Sequence, residues 1–138
     1  MNHAYPSDYP DPMRFEHFAL NVPDTRATAA WYVEHLGLTV VRNRAQPPYT
    51  TFLADDTGRV FVELYTNPTD AITDYANQHQ LRVHFAFAVK DAMAERTRLL
   101  KAGATLIVEE PQLDGSMLIM LRDPWGVPVQ LCQRAQPF

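Results

Sequence analysis

Two histidines and two Glu or Gln residues recur at one spacing and form the chemically most informative pattern in the chain. His17 and His84 are 67 residues apart (84 minus 17), and so are Glu63 and Gln130 (130 minus 63). Two imidazoles, one carboxylate and one amide oxygen suit a borderline divalent ion such as Zn²⁺, Ni²⁺, Co²⁺, Fe²⁺ or Mn²⁺. The spacing therefore predicts a metal site whose ligands come from two related halves of the sequence.

Each of these residues also has a structural interpretation. A single histidine in an apolar strand is more often a hydrogen-bonded core or rim residue than a metal ligand. Glu63 lies in the apolar stretch VFVELYT, where a buried charge is costly unless it is paired or bound to a cation. Glu63 could instead face water on an edge strand. The duplicated spacing is what favours the ligand interpretation.

Gln130 sets the charge of the predicted site. With two neutral imidazoles, one carboxylate and one amide, a bound divalent ion keeps a net charge of about +1, which favours an anionic substrate. An amide is also not a proton-transfer group, so reactions that need two such groups are disfavoured. Glu63 is then the candidate catalytic base as well as a ligand.

Each half of the sequence predicts one strand, one helix and three further strands. Asp24 and Asp91 stand at helix N-cap positions, and Gly37 and Gly103 at the corresponding helix ends. The predicted halves cover residues 13–67 and 81–133 of one domain, 13–138. Residues 1–12 are rich in proline and tyrosine, which predicts an extended arm.

Composition narrows the function classes. The chain has 138 residues, a net charge of −4 and no block of lysine or arginine, which disfavours nucleic-acid binding. Neither a signal peptide nor a stretch long enough to span a bilayer is recognisable, so we expect no membrane association. The single Cys132 excludes an internal disulfide framework and fits a reducing cytoplasm.

The two halves also resemble each other in sequence. HFALNVPD from His17 and HFAFAVKD from His84 agree at five of eight positions. With WYVEHLGL, VFVELY and DPWGVPVQL, these stretches resemble the vicinal oxygen chelate superfamily, which includes glyoxalase I, extradiol dioxygenases, fosfomycin-resistance enzymes, methylmalonyl-CoA epimerase and bleomycin-binding proteins. The resemblance covers residues 13–133.

The resemblance implies an α+β fold of paired βαβββ modules that form a curled sheet cleft. It implies that His17, Glu63, His84 and Gln130 surround one divalent metal, either within one chain or across a homodimer. It also places Asn67 at a position that glyoxalase I uses to hold glutathione. Asn21 stands where the bacterial enzyme has a substrate-binding arginine, and Gln130 where glyoxalase I has glutamate.

The leading expectation for function is glyoxalase I-like lyase or isomerase chemistry on a small oxygenated, anionic substrate. One alternative is an Fe²⁺ extradiol-type dioxygenase, although the carboxylate of those enzymes occupies the position of Gln130. The other alternative is a non-catalytic protein that binds a small molecule, as bleomycin-resistance proteins do. Strand alternation and position predict the substrate-binding residues Asn21, Tyr65, Asn67 and Arg82.

Overall fold

A computed structural model describes residues 6–8, 11–68 and 71–138 of the chain. Its first module contains β1 (Phe18–Asn21), α1 (Thr25–Leu36), β2 (Thr39–Asn43), β3 (Thr51–Ala54) and β4 (Val60–Tyr65). The second module contains β5 (Phe85–Ala88), α2 (Ala92–Lys101), β6 (Thr105–Pro111), β7 (Met117–Arg122) and β8 (Pro128–Gln133). A short 3₁₀ helix at Tyr75–Asn77 lies between them. The predicted βαβββ duplication and the α+β class are confirmed.

Both sheets have four strands and the same topology, β1-β4-β3-β2 and β5-β8-β7-β6. The first strand of each module pairs in parallel with the last, and the other neighbours are antiparallel. Register is duplicated as well, because Phe18 pairs with Val62 and Phe85 with Val129. Both pairs are related by the 67-residue offset found in the sequence.

The helices begin and end where the sequence predicts. The Asp24 and Asp91 carboxylates each accept a backbone N–H bond three residues on, from Ala27 and Ala94, both at 3.0 Å. Gly37 ends α1 in the left-handed region at φ 72°, which glycine adopts without steric cost. β1 and β5 are short, since each is an edge strand that pairs with one neighbour over four residues.

Helix α1 contacts both modules. The buried Tyr32 hydroxyl donates to Asp123 Oδ2 at 2.6 Å, and Trp31 Nε1 donates to the Ala102 carbonyl at 2.9 Å. Trp31 and Leu36 contact both hydrophobic clusters of the protein. One helix of the first module therefore stabilises the packing of the second.

The β3–β4 and β7–β8 turns are equivalent, but their alignment differs from the one that the sequence predicts. The sequence spacing equates Asp56 with Asp123. In the structure Asp55 and Asp123 have the same role, since each carboxylate accepts the backbone N–H two residues later and each carbonyl accepts the N–H of the glycine three residues later. A bulge between Leu53 and Ala54 shifts the first module by one residue.

Two further expectations concern the ends and surface of the chain. The expected extended arm, residues 1–12, lies in large part outside the described residues. Across 6–8, 11–68 and 71–138, no helix is long and apolar enough to cross a membrane.

Candidate functional site

His17 and Glu63 form the first half of the site. His17 precedes β1, and Glu63 lies in β4. Glu63 is the register partner of Ala19, which is two residues after His17, so the side chains of His17 and Glu63 share one sheet face. His17 Nε2 lies 3.4 Å from Glu63 Oε2, and both side chains are partly buried. The Phe52 ring, from β3, contacts the His17 imidazole edge-on at 5.5 Å between centroids.

Glu16 orients the His17 ring, a role that the sequence interpretation missed. His17 Nδ1 lies 2.8 Å from Glu16 Oε1, so Nδ1–H donates to this carboxylate. The other ring nitrogen, Nε2, faces Glu63 Oε2. A carboxylate on the far side of a metal-ligating imidazole is a common arrangement in metal sites. The signal available in the sequence was a glutamate directly before the candidate ligand.

His84 and Gln130 form the second half of the site with the same register. Gln130 pairs with Ala86, two residues after His84, as Glu63 pairs with Ala19, two residues after His17. Both side chains line one small cavity of about 60 Å³. His84 Nδ1 donates to the Gln80 carbonyl at 3.3 Å, which again leaves Nε2 available. The buried Cys132 thiol is 3.6 Å from Gln130 Oε1 and donates weakly to it.

A single chain does not bring the two halves together into one metal site. Among the described residues, no group of three or more His, Cys, Asp or Glu side chains is placed to hold a metal ion. His17 and Glu63 lie beside β1 and β4 of one sheet, and His84 and Gln130 beside β5 and β8 of the other. The sequence left open whether the four residues converge within one chain or across a dimer, and their convergence across a dimer stays a prediction.

Three of the predicted substrate-binding residues lie together at the end of β1 and β4. The Asn21 amide is engaged with the Asn67 backbone, accepting from its N–H at 2.9 Å and donating to its carbonyl at 3.3 Å. Tyr65 pairs with Asn21 in register and is half-buried on the Glu63 face. The structure therefore shows a structural use for Asn21, and the predicted substrate contacts of these residues stay predictions.

Arg82 lies apart from that group, on the segment that leads into β5. Its Nη1 donates to Gln78 Oε1 at 2.8 Å. Arg82 and His84 line a cavity of about 460 Å³ together with Phe15, Phe18, Phe61 and other apolar residues. Phe15 and Phe61, which sequence alternation places beside His17 and Glu63, thus share a cavity wall with the second half-site.

Structures of similar architecture include enzymes and a binding protein. A glyoxalase I mutant from Zea mays is 27% identical with a TM-score of 0.67, covering 89% of this chain and 46% of the maize chain. This chain thus spans about half of that protein. Lactoylglutathione lyase from Agrobacterium tumefaciens is 21% identical with a TM-score of 0.63, covering 90% of this chain and 96% of that chain.

TnmS3, an antibiotic binding protein from Streptomyces sp. CB03234, is 18% identical with a TM-score of 0.66, covering 92% of this chain and 100% of that chain. At this identity, and at that of the Agrobacterium lyase, the likeness shows the fold alone. A comparison with curated protein sequences finds no match. The family model described as a glyoxalase-like domain matches residues 17–132, which is most of the sequence. The chain therefore belongs to the glyoxalase-like domain family.

Proposed function

We propose that this protein is a metal-dependent enzyme of the glyoxalase type, a lyase or isomerase that moves a proton on a small oxygenated anion. The observation that carries the proposal is the His17–Glu63 pair. Two ligand atoms at about 2.1 Å from a tetrahedrally coordinated ion lie roughly 3.4 Å apart. His17 Nε2 and Glu63 Oε2 are 3.4 Å apart, so the pair fits one divalent ion.

Hydrogen bonding in both halves supports the same assignment. The Nδ1 atoms of His17 and His84 already donate to Glu16 and to the Gln80 carbonyl. Each Nε2 would then be the nitrogen that binds a metal. Two chains in a homodimer would supply the complete set of four ligands if the His17–Glu63 pair of one chain meets the His84–Gln130 pair of the other.

The protein's own side chains would divide the work as follows. Glu63 takes the proton from the substrate carbon and returns it to a neighbouring atom, because it is the one carboxylate among the four proposed ligands. Gln130 binds through its carbonyl oxygen and contributes no charge. A bound divalent ion would polarise a substrate oxygen and stabilise the negative charge that develops there. The net positive charge of this set favours a substrate that is already anionic.

The direct test is titration of Zn²⁺ and Ni²⁺ into chelator-treated protein by calorimetry. We expect Glu63→Gln to weaken binding by more than the roughly 10- to 100-fold that loss of an outer hydrogen-bond partner costs. Glu34→Gln is the matched control, since Glu34 is an exposed carboxylate on α1. Equal affinities in the two variants would refute the proposed ligand set.

Thermal unfolding provides a second measurement on the same proteins. A metal at a hundredfold excess over its Kd stabilises the folded state by about 2.7 kcal/mol. For a domain of this size, 1 kcal/mol corresponds to roughly 3 °C in Tm. Removal of the metal by EDTA should therefore lower Tm by several degrees in the unmodified protein and leave Glu63→Gln unchanged. Sedimentation of the metal-loaded protein as a monomer would contradict assembly of the site across a dimer.

A second candidate function is binding of a small molecule without catalysis. The observation that favours it is the large aromatic-lined cavity beside His84, which is formed within one chain and requires no metal. If the protein binds an apolar small molecule tightly but binds no divalent ion, this second function is supported. Oxygen consumption with a catechol in the presence of Fe²⁺ would instead indicate the extradiol dioxygenase alternative.

A further inference from the structure

We infer that the cavity beside His84 is a binding site for a small aromatic carboxylate, and that such a compound is the substrate class of the proposed enzyme. The inference rests on the proposed function for the reaction, but the cavity itself is formed by one chain. Its volume is about 460 Å³, within the range of roughly 300–1,000 Å³ typical of small-molecule sites.

The walls of the cavity are aromatic. Leu81 and Val83 contribute aliphatic surface to it. The remaining apolar lining consists of four phenylalanines, Phe15, Phe18, Phe61 and Phe85. Phe85 contacts Phe18 and Phe61 edge-to-face, with ring centroids 6.4 and 6.0 Å apart. Rings in this arrangement present both edges and faces to a ligand. An aromatic ligand can then make the edge-to-face and offset-stacked contacts that aromatic rings prefer.

Part of this surface is unusually exposed for apolar side chains. Phe15 is 59% exposed, Phe18 45% and Leu81 72%. Contiguous apolar surface of this kind commonly marks a site for a ligand or a partner. Phe15 is nevertheless held in place, because Arg59 Nη2 donates to its carbonyl at 2.9 Å. The exposed wall is therefore anchored, as a binding surface needs to be.

The polar groups of the cavity select an anion. Arg82 and His84 are its two polar lining residues. Within 6–8, 11–68 and 71–138, the Arg82 guanidinium has one hydrogen-bond acceptor, Gln78 Oε1, and keeps further N–H donors for a ligand. A planar guanidinium matches a carboxylate in geometry as well as in charge. His84 also belongs to the second half-site, so a ligand bound here would lie beside the proposed metal ligands.

The test uses 2-naphthoate as the probe and 2-naphthalenemethanol as its neutral counterpart, with binding measured by calorimetry on the full chain. We expect naphthoate to bind, and Arg82→Gln to weaken it by about tenfold while leaving the alcohol unchanged. Arg44→Gln, at an exposed position after β2, is the matched control. Phe15→Ala should weaken both probes, and because Phe15 is exposed the variant should keep the circular dichroism spectrum of the unmodified protein.

Several outcomes would overturn the inference. One is the absence of naphthoate binding at millimolar concentration, and another is equal naphthoate binding in Arg82→Gln and Arg44→Gln. A third is dimerisation that depends on concentration and is abolished by Phe15→Ala while no probe binds. That result would identify a second copy of the chain as the occupant of the cavity. Titrations with and without bound metal separate this inference from the proposed function. Naphthoate binding in protein that takes up no metal refutes the enzyme and the substrate assignment but not the binding site. Metal binding without naphthoate binding refutes the binding site but not the proposed metal ligands.

Discussion

The two modules share a backbone register but differ in charge around their candidate ligands. In the first module, carboxylates stand on both sides of His17, at Glu16 and Glu63. In the second, His84 has a backbone carbonyl on one side and the Gln130 amide near the other. The pairing of strands was thus duplicated while the electrostatics diverged. The first half-site therefore carries carboxylate charge that the second lacks.

The turns before the last strand of each module also differ, and here the second module makes the more extensive buried contacts. Both begin with an aspartate that organises the turn, but Asp123 is only 3% exposed and accepts from the Tyr32 hydroxyl. The Asp55 turn lies at the surface and has no such contact with α1 among the described residues. The second module therefore contributes the junction with the rest of the protein, whereas the first contributes most of the site's negative charge.

Among the variants that test this comparison, we expect substitutions of the turn glycines to change the free energy of unfolding most. Gly58 and Gly126 have φ values of 80° and 92°, so alanine is strained by roughly 1–2 kcal/mol at either position. A Cβ at Gly126 would also lie 2.6 Å from the Ala76 backbone nitrogen, whereas a Cβ at Gly58 meets nothing within 4 Å. In urea unfolding, Gly126→Ala should lose at least about 3 kcal/mol and Gly58→Ala about half as much. Equal losses would show that the turns are equivalent after all.

Removal of the hydrogen bond at the junction should cost somewhat less. Tyr32→Phe leaves the buried Asp123 carboxylate without its 2.6 Å donor, and an unsatisfied buried group costs about 1–3 kcal/mol. Tyr49→Phe is the control, because Tyr49 is half-buried and its ring packs against the Arg26 guanidinium. If chemical denaturation gave the same free energy of unfolding for both variants, the Tyr32 bond would have no net stabilising effect.

The same junction predicts a dependence of stability on pH. Burial raises the pKa of Asp123 above its ordinary value of 3.8, although the Tyr32 hydroxyl and backbone N–H bonds oppose that shift. The folded protein therefore holds this proton more tightly than the unfolded chain does. The stability due to the protonated carboxyl is present below pH 3.8 and is lost as pH rises through the raised value.

Asp123→Asn removes that titration. The unfolding free energy of the unmodified protein minus that of the variant should decrease as pH rises from 3 to 7, and the analogous difference for Asp55→Asn serves as the surface comparison. A difference for Asp123→Asn that stays constant with pH would argue against a raised pKa at this carboxyl.

The charge asymmetry between the half-sites can be tested at Glu16. Glu16→Gln replaces the carboxylate on His17 Nδ1 by an amide, which resembles the neutral arrangement around His84. Loss of such an outer partner typically weakens metal affinity by about 10- to 100-fold. Calorimetric Zn²⁺ titration should show that loss in Glu16→Gln and not in Glu34→Gln. An unchanged affinity would mean that Glu16 does not act on the metal through His17.

The converse change restores a carboxylate to the second half-site. Gln130→Glu adds an anionic oxygen beside His84, and metal affinity rises with the number of charged ligands, here by about tenfold. The same variant carries the glutamate of glyoxalase I, so activity on the hemithioacetal of methylglyoxal and glutathione should increase or appear. Equal or weaker metal affinity, with the circular dichroism spectrum intact, would show that Gln130 is not a ligand.

The sequence was sufficient for the fold because its signals are local. Asp24, Gly37 and Asp91 mark helix ends by residue type alone, and the strands are rich in β-branched and aromatic residues. The 67-residue offset correctly related the first and last strands of one module to those of the other. The offset equated Asp56 with Asp123, one residue away from the true equivalent, Asp55. The cause is a β-bulge beside Ala54, which depends on backbone pairing and is not marked by any residue type in the sequence.

The site was harder to predict than the fold. In the structure His17 lies beside Glu63, and His84 and Gln130 line one cavity, because each relationship follows from register within one sheet. The sequence could not show that α1 contacts the second module, because helix packing depends on the shapes of surfaces distant in sequence. For the same reason it could not show that Phe15 and Phe61 reach the cavity beside His84 from the other module.

The parallel pairing of β1 with β4, and of β5 with β8, has a consequence for the order of folding. In both modules the paired strands are 44 residues apart, from Phe18 to Val62 and from Phe85 to Val129. Closing such long loops is entropically expensive and slow, whereas the antiparallel hairpins of each module form from neighbouring segments. The candidate ligands are brought together by the long-range pairings alone, so competence to bind metal should appear in the last kinetic phase of refolding, after most of the secondary structure has formed.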